Sequence, residues 1–372
     1  MIHIGIDHHK KYSYVVAMND KGEIHWEGKL DSNRDAFQSL KECLPAGEPT
    51  QSVLEAGRNW GILYDALEEL ELNPKLANPL KMRTIAETFT KTDKIDATTH
   101  AIILKAGLTP LVHVPAKEVR DQKNLLRQRV WLVKIQTMVK NRIHNIIDRN
   151  HLTVPNKTDL FGSHGRAWMS ALALPDPDGK LLKSDLEILD AIQSHVRQTE
   201  KWIDETLKAN PMIPLLLTLP GVGKILAALI ALEMDTVDRF ISPEKLCAYS
   251  GLANSTYSSG GKTFHGGLIP SCNHHLRYAF IEAAWTAVRV SPYFQAFYSR
   301  LKYRVGSHDA IGAVARKLCE ITYFCLKQKR NYIEKPYRFK PSVIKCQIQV
   351  QRYKTMTQKF QPPKNVNLEA IY

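Results

Sequence analysis

The chain has 372 residues, 44% of them hydrophobic and 24% charged, a composition typical of folded soluble proteins and a length that calls for more than one core. Its 51 Lys and Arg outnumber 37 Asp and Glu for a formal charge of +14; this favours a polyanionic partner without separating DNA from RNA or from an acidic membrane. The six cysteines lack CxxC spacing, which excludes a disulfide framework and a cysteine zinc site and suits a reducing cytosol.

Residues 1–110 read as α/β. Ile2–Ile6, Tyr12–Met18 and Glu23–Gly28 predict three successive strands, the last two joined by the turn Asn19-Asp20-Lys21-Gly22. Asp35–Glu42 predicts a helix, Gln51–Leu54 a short strand delivering Glu55, Gly61–Leu70 a helix and Lys75–Ala77 another buried strand. A further helix spans Thr92 to Lys105 and ends at Gly107. Antiparallel strands followed by alternating helices and strands predict a ribonuclease-H-like sheet. The start, Met1-Ile2-His3-Ile4-Gly5, has no signal-peptide pattern, and no apolar run approaches the roughly 18 residues of a membrane span.

Residues 111–207 are helical and basic. Leu125, Val130, Leu132, Ile135, Val139, Ile143 and Ile146 form an apolar stripe, with Arg120, Lys123, Arg127, Arg129, Lys134, Lys140 and Arg142 on the other faces. The pattern breaks near Pro155 and around Pro175–Gly179, and a second helix runs from Leu181 to Leu207. The two form either an antiparallel hairpin or a pair of coiled-coil arms that join a dimer and touch nucleic acid.

Residues 208–332 are mainly helical. Leu219-Pro220-Gly221-Val222-Gly223-Lys224 precedes the apolar helix Ile225–Leu232 and resembles a helix-hairpin-helix DNA module, in which Gly221, Gly223 and Lys224 meet a phosphate. No GK[ST] completes it as a Walker loop. Residues 333–372 form a basic tail.

The chemistry rests on acids and on one small loop. Asp7 ends the first strand, Glu55 ends a later one, and Asp93 and Asp96 share a face at a helix start. Such oxygen clusters suit Mg²⁺, with Mn²⁺ as a substitute, in phosphoryl transfer. Lys91 and Lys94 offset their charge or touch phosphate. In Tyr257-Ser258-Ser259-Gly260-Gly261 a serine is positioned to attack a phosphodiester, its glycines admitting a DNA backbone, with Lys262 and Arg277 to steady phosphate oxygens.

These strings together resemble the DEDD-type insertion-sequence transposases, the bridge-RNA-guided recombinases. The match lies in Gly5-Ile6-Asp7, Leu54-Glu55-Ala56, Lys91-Thr92-Asp93-Lys94-Ile95-Asp96-Ala97, Arg127-Gln128-Arg129-Val130, Leu219–Gly223, Tyr249–Leu252, Ser258–Gly261 and Leu276-Arg277. The resemblance implies a RuvC-like N-terminal domain whose metal-binding acids are Asp7, Glu55, Asp93 and Asp96. It also implies a C-terminal transposase domain whose serine, Ser259 with Ser258 as the alternative, becomes covalently joined to DNA. Its implied partners are double-stranded donor and target DNA, a structured element-encoded RNA, and further copies of the chain as dimers assembling into tetramers in a prokaryotic cytoplasm. The sequence departs from the family at His100, where leucine is more familiar, and before Asn273, where Cys272 replaces a glycine. Two other readings stay open: a Holliday-junction resolvase that uses water, and an inactive nucleic-acid scaffold.

Overall fold

The computed structural model describes residues 1–86, 92–155, 159–206 and 210–334. Lys91 and the basic tail from residue 335 onward lie outside the described residues. The chain divides into two compact units, Met1–Ala116 and Lys117–Tyr372.

The first unit runs β1 (Ile2–His8), β2 (Tyr12–Met18), β3 (Ile24–Asp31), α1 (Arg34–Cys43), β4 (Thr50–Glu55), α2 (Trp60–Glu69), β5 (Pro74–Ala77), α3 (Pro79–Ile85) and α4 (Asp93–Lys105). Its sheet has the order β3-β2-β1-β4-β5. β2 is antiparallel to β1 and β3, whereas β4 is parallel to both β1 and β5. This mixed α/β arrangement is compatible with the expected ribonuclease-H-like domain. Asn33, Asn78 and Thr92 start α1, α3 and α4 by accepting the backbone N–H of Ala36, Lys81 and Ile95, which satisfies amides that have no partner inside the helix.

β1 is covered on both faces. Ile2, Ile4 and Ile6 pack with Phe37, Leu40, Leu63 and Leu67 from α1 and α2. On the other face Ala97 and Ala101 of α4 cluster with Val16 and Met18. A Cβ at Gly5 would collide with the Ala97 carbonyl and the Ala101 amide, so glycine there lets α4 lie directly on the strand backbone. The unit continues past residue 110 because Val112 N–H donates to the Leu76 carbonyl at 2.8 Å and Val112 and Val114 pack on the core.

The second unit runs α5 (Lys117–Arg149), α6 (Ser163–Ser170), α7 (Asp178–Thr206), α8 (Met212–Leu216), α9 (Lys224–Met234), α10 (Pro243–Tyr249), β6 (Asn254–Ser259), β7 (Lys262–Leu268), α11 (His274–Val290) and α12 (Pro292–Lys327). α5 and α7 are antiparallel, since Arg129, Arg142 and Arg149 pair in turn with Glu200, Asp185 and Asp178. Within the chain, therefore, the two long helices make the hairpin arrangement. Val139, Ile143, Leu182 and Leu189 bury their seam, and Met169 of α6 closes it.

A larger core surrounds α9, whose residues Ala227 to Met234 are all buried and, apart from Glu233, apolar. α5, α11 and α12 contribute to that core. Two expectations change in this unit. Gly221 has φ 81°, and a Cβ there would strike the Ala283 carbonyl of α11. The close approach this glycine permits is to α11 rather than to a phosphate, whereas the space beside Gly223 is open. The serine segment, read as a loop in a helical region, is instead a β-hairpin: β6 pairs antiparallel with β7, and Ser259 faces Lys262. Gly260 and Gly261 have φ 57° and 75°, the consecutive left-handed residues of a type I′ turn. Among the described residues no helix is long and apolar enough to cross a membrane.

Candidate active site

The parallel register pairs Ile6 with Leu54, so Asp7 and Glu55 leave neighbouring strands at the same end of the sheet. The close seat of α4 over Gly5 brings its first turn, with Asp93 and Asp96, toward that end. Ligand atoms of Asp7, His9 and Asp93 all lie within 4.8 Å of one another. His9 Nε2 stands 3.2 Å from Asp7 Oδ2 and 3.5 Å from Asp93 Oδ1. Two carboxylates and an imidazole so close fit a divalent cation, although histidine makes the set less purely oxygen-based than expected.

Glu55 joins through another side chain. His100 is 6% exposed; its Nδ1 contacts the Ile6 carbonyl at 3.1 Å and its Nε2 contacts Glu55 Oε1 at 3.2 Å. A carbonyl can only accept, so Nδ1 is the donor there. His100 thus links the end of β1 to Glu55. Tyr12 donates its hydroxyl to Asp93 Oδ2 at 3.0 Å, and Lys29 lies over the Tyr12 ring at 4.6 Å.

Electrostatics separate the acids. Burial pushes the Asp7 carboxyl above the usual range; His9 and His100 oppose that shift, while Asp96 and Asp93 add to it. Asp93 is held below the ordinary range, first by the Tyr12 hydrogen bond and then by His9 and Lys29. One acid is therefore costly to ionise beside another that ionises readily, and a cation would relieve the repulsion between them.

In the second unit the hairpin separates the two serines. Ser258 Oγ hydrogen-bonds Thr263 Oγ1 at 3.1 Å. Ser259 sits at the turn on the opposite face, paired with Lys262. Arg277 donates from Nη2 to the Ile269 carbonyl just beyond β7.

Comparison with known proteins places both regions in one lineage. Residues 4–151 match a DEDD-type family described as Transposase, and residues 213–299 match the family described as Transposase IS116/IS110/IS902 family. A pilin gene-inverting protein of Moraxella bovis is 30% identical over 312 residues, covering 81% of this chain and 88% of that protein. The chain belongs to the IS116/IS110/IS902 transposase family. A probable family 20 transposase of Pseudomonas aeruginosa is 26% identical, over 69% of this chain and 74% of its own length. The transposase for insertion sequence element IS1328 of Yersinia enterocolitica is 24% identical, over 82% of this chain and 86% of its own.

The transposase's matched segments contain all four acids and both serines. Most of its expected nucleic-acid contacts also have partners inside the fold. Lys94 Nζ pairs with Glu27 at 2.6 Å, Lys224 with Asp204 at 2.6 Å, Arg129 with Glu200 and Arg142 with Asp185. Lys140 lies over the Phe161 ring at 4.8 Å. Arg120 is half-buried, while Lys134 and Lys262 are exposed.

Arg127 makes a two-pronged pair with Glu233, at 2.7 and 2.9 Å. Asn273, the cap of α11, adds a bond to Glu233 at 2.9 Å. Burial opposes ionisation of Glu233, but Arg127, Asn273 and Lys123 outweigh it and hold its carboxyl low. Lys123 is itself buried, which lowers its ammonium pKa. This network ties α5, α9 and α11 together. The position before Asn273 that departed from the family places Cys272 Sγ 3.8 Å from His274 Nδ1.

Sequence reasoning missed His9, Tyr12 and Lys29 as members of the acid site, and gave His100 no role. The adjacent His8-His9 pair directly after Asp7 was the one local signal.

Proposed function

We propose that this transposase cuts and rejoins donor and target DNA under the direction of a structured RNA, through a covalent phosphoserine on Ser259. The carrying observation is the exposed Ser259 at a Gly-Gly turn, opposite Lys262 and in a different unit from the acid cluster. Water-mediated hydrolysis would need only the acids, whereas an exposed serine beside a cation gives the chain its own nucleophile.

Asp7, Glu55, Asp93 and Asp96, with His9, would hold the divalent cation, Mg²⁺ in this reading. When bound, it supplies charge neutralisation at phosphate oxygens. His100 orients Glu55, and Tyr12 orients Asp93. Ser259 Oγ attacks phosphorus, the P–O bond to one DNA end breaks, and the serine proton leaves with the released DNA oxygen. A DNA hydroxyl then attacks the same phosphorus, the bond to Ser259 Oγ breaks, and the hydroxyl's proton returns to the serine, restoring a phosphodiester. Bond energy is conserved, so no nucleotide triphosphate is consumed. Lys262 steadies the phosphate oxygens, and dimers assembling into tetramers would bring two DNA molecules into one reaction.

The test incubates the full chain with its flanking noncoding RNA, donor and target DNA, and Mg²⁺. A DNA-bearing peptide containing Ser259 is expected. Ser259→Ala should abolish both adduct and strand transfer, and Ser258→Ala should retain them. Normal cleavage by Ser259→Ala without an adduct would establish the resolvase reading instead.

A further inference from the structure

We infer that one face of the β6–β7 hairpin is a stacking platform for an unstacked DNA base, set beside the phosphate that Ser259 engages. This rests on the reading of Ser259 as the group that meets DNA.

The register divides the hairpin's side chains between two faces, because cross-strand partners share a face and successive residues alternate. One face carries Ser259 opposite Lys262, then Tyr257 opposite Phe264. Beyond them Gly266 lies against Ser255, close enough that a Cβ would press on its hydroxyl. The other face satisfies its own polar groups: Ser258 bonds Thr263, and Thr256 bonds His265, each at 3.1 Å. A reactive hydroxyl, a cation and two aromatic rings thus lie in a row, ending in a shallow step of small residues.

Every residue of both strands is exposed. Tyr257 and Phe264 are 68% and 62% exposed, an apolar area that gains from being covered. Charge selects the occupant. From Lys245 to Ile281 the chain has no Asp or Glu, while it carries Lys245, Lys262 and Arg277. A polyanion with flat apolar groups matches rings next to a lysine, and a single nucleic-acid strand supplies both. The rings stand two residues along the strand from Ser259, roughly 7 Å, within reach of the base attached to a phosphate at the turn. Stacking needs a base's π-face, which a paired duplex hides, so the nucleotide beside the scissile phosphate is splayed from its neighbours. The DNA strand is the occupant because Ser259, on the same face, acts on DNA.

The test uses the full-length chain and a short single-stranded oligodeoxynucleotide carrying 5-iodouracil, irradiated at long wavelength and followed by peptide mapping. Crosslinks are expected on Tyr257 or Phe264. Tyr257→Val and Phe264→Val, which keep a strand-favouring residue, should each weaken binding about tenfold in fluorescence anisotropy, while Tyr257→Phe should retain it. Crosslinks only elsewhere, no crosslinks, or unchanged affinity in both valine variants would overturn the platform and leave the Ser259 reading intact. Crosslinking confined to an iodouracil RNA would overturn the DNA assignment. Ser259→Ala should lose the covalent adduct and keep the crosslink. Crosslinks on the rings in a protein that never forms an adduct would support the platform and remove the nucleophile reading.

Discussion

Asp7 is held in a setting that resists its own charge. Its folded pKa is raised, chiefly by burial, so its stabilising contribution is full below the ordinary aspartate range and is lost as pH rises through the folded value. Without divalent cation, Asp7→Asn should therefore melt higher than the parent near neutral pH, and the gap should close in acid. In the proposed site, Mn²⁺ or Mg²⁺ should raise the melting temperature of the parent and not of this variant; a lower neutral-pH melting temperature for the variant would contradict this account. In the proposed site, His100 acts one step out, through Glu55. His100→Leu should weaken Mn²⁺ binding about 10–100-fold by calorimetry, the usual cost of losing a residue that orients a ligand. The acids could be named as candidates from sequence because each sits at a strand end or helix start. Tyr12 and His100 could not, since they meet Asp93 and Glu55 across 81 and 45 positions of chain, and no local spacing records such a meeting.

Glycines set several joints between elements, and their roles differ. Gly221 combines φ 81° with α11 packed where a side chain would go. Gly221→Ala should cost roughly 2–4 kcal/mol in urea unfolding, from left-handed strain plus overpacking. Gly223→Ala, facing open space as the cap of α9, should cost less than about 1 kcal/mol. Equal losses would mean that contact with α11 is not what the first glycine serves. Helices and central strands were legible because capping residues and apolar periods are local. The β6–β7 hairpin was not. Its strands bury no face, so Asn254–Ser259 shows no apolar alternation, and only the Gly-Gly turn marked it.

At the scale of the whole molecule, the formal charge of +14 should appear as salt dependence. If about six phosphates are neutralised, raising salt from about 50 to about 200 mM should weaken DNA binding by a factor on the order of 10³. A flat response in anisotropy titrations would show that the internally paired cations Arg129, Arg142 and Lys224 leave too few for the backbone. Sequence alone determined the α/β-then-helical order and the basic character, and it singled out the candidate acids and the glycine-flanked serines, because these depend on neighbours within a few residues. Tertiary structure decided that His9 enters the acid cluster, that Gly221 serves α11, that Ser258 and Ser259 face opposite ways, and that Glu233 neutralises Arg127. Those outcomes depend on which distant surfaces pack together, and packing is fixed by shape and burial over the whole fold.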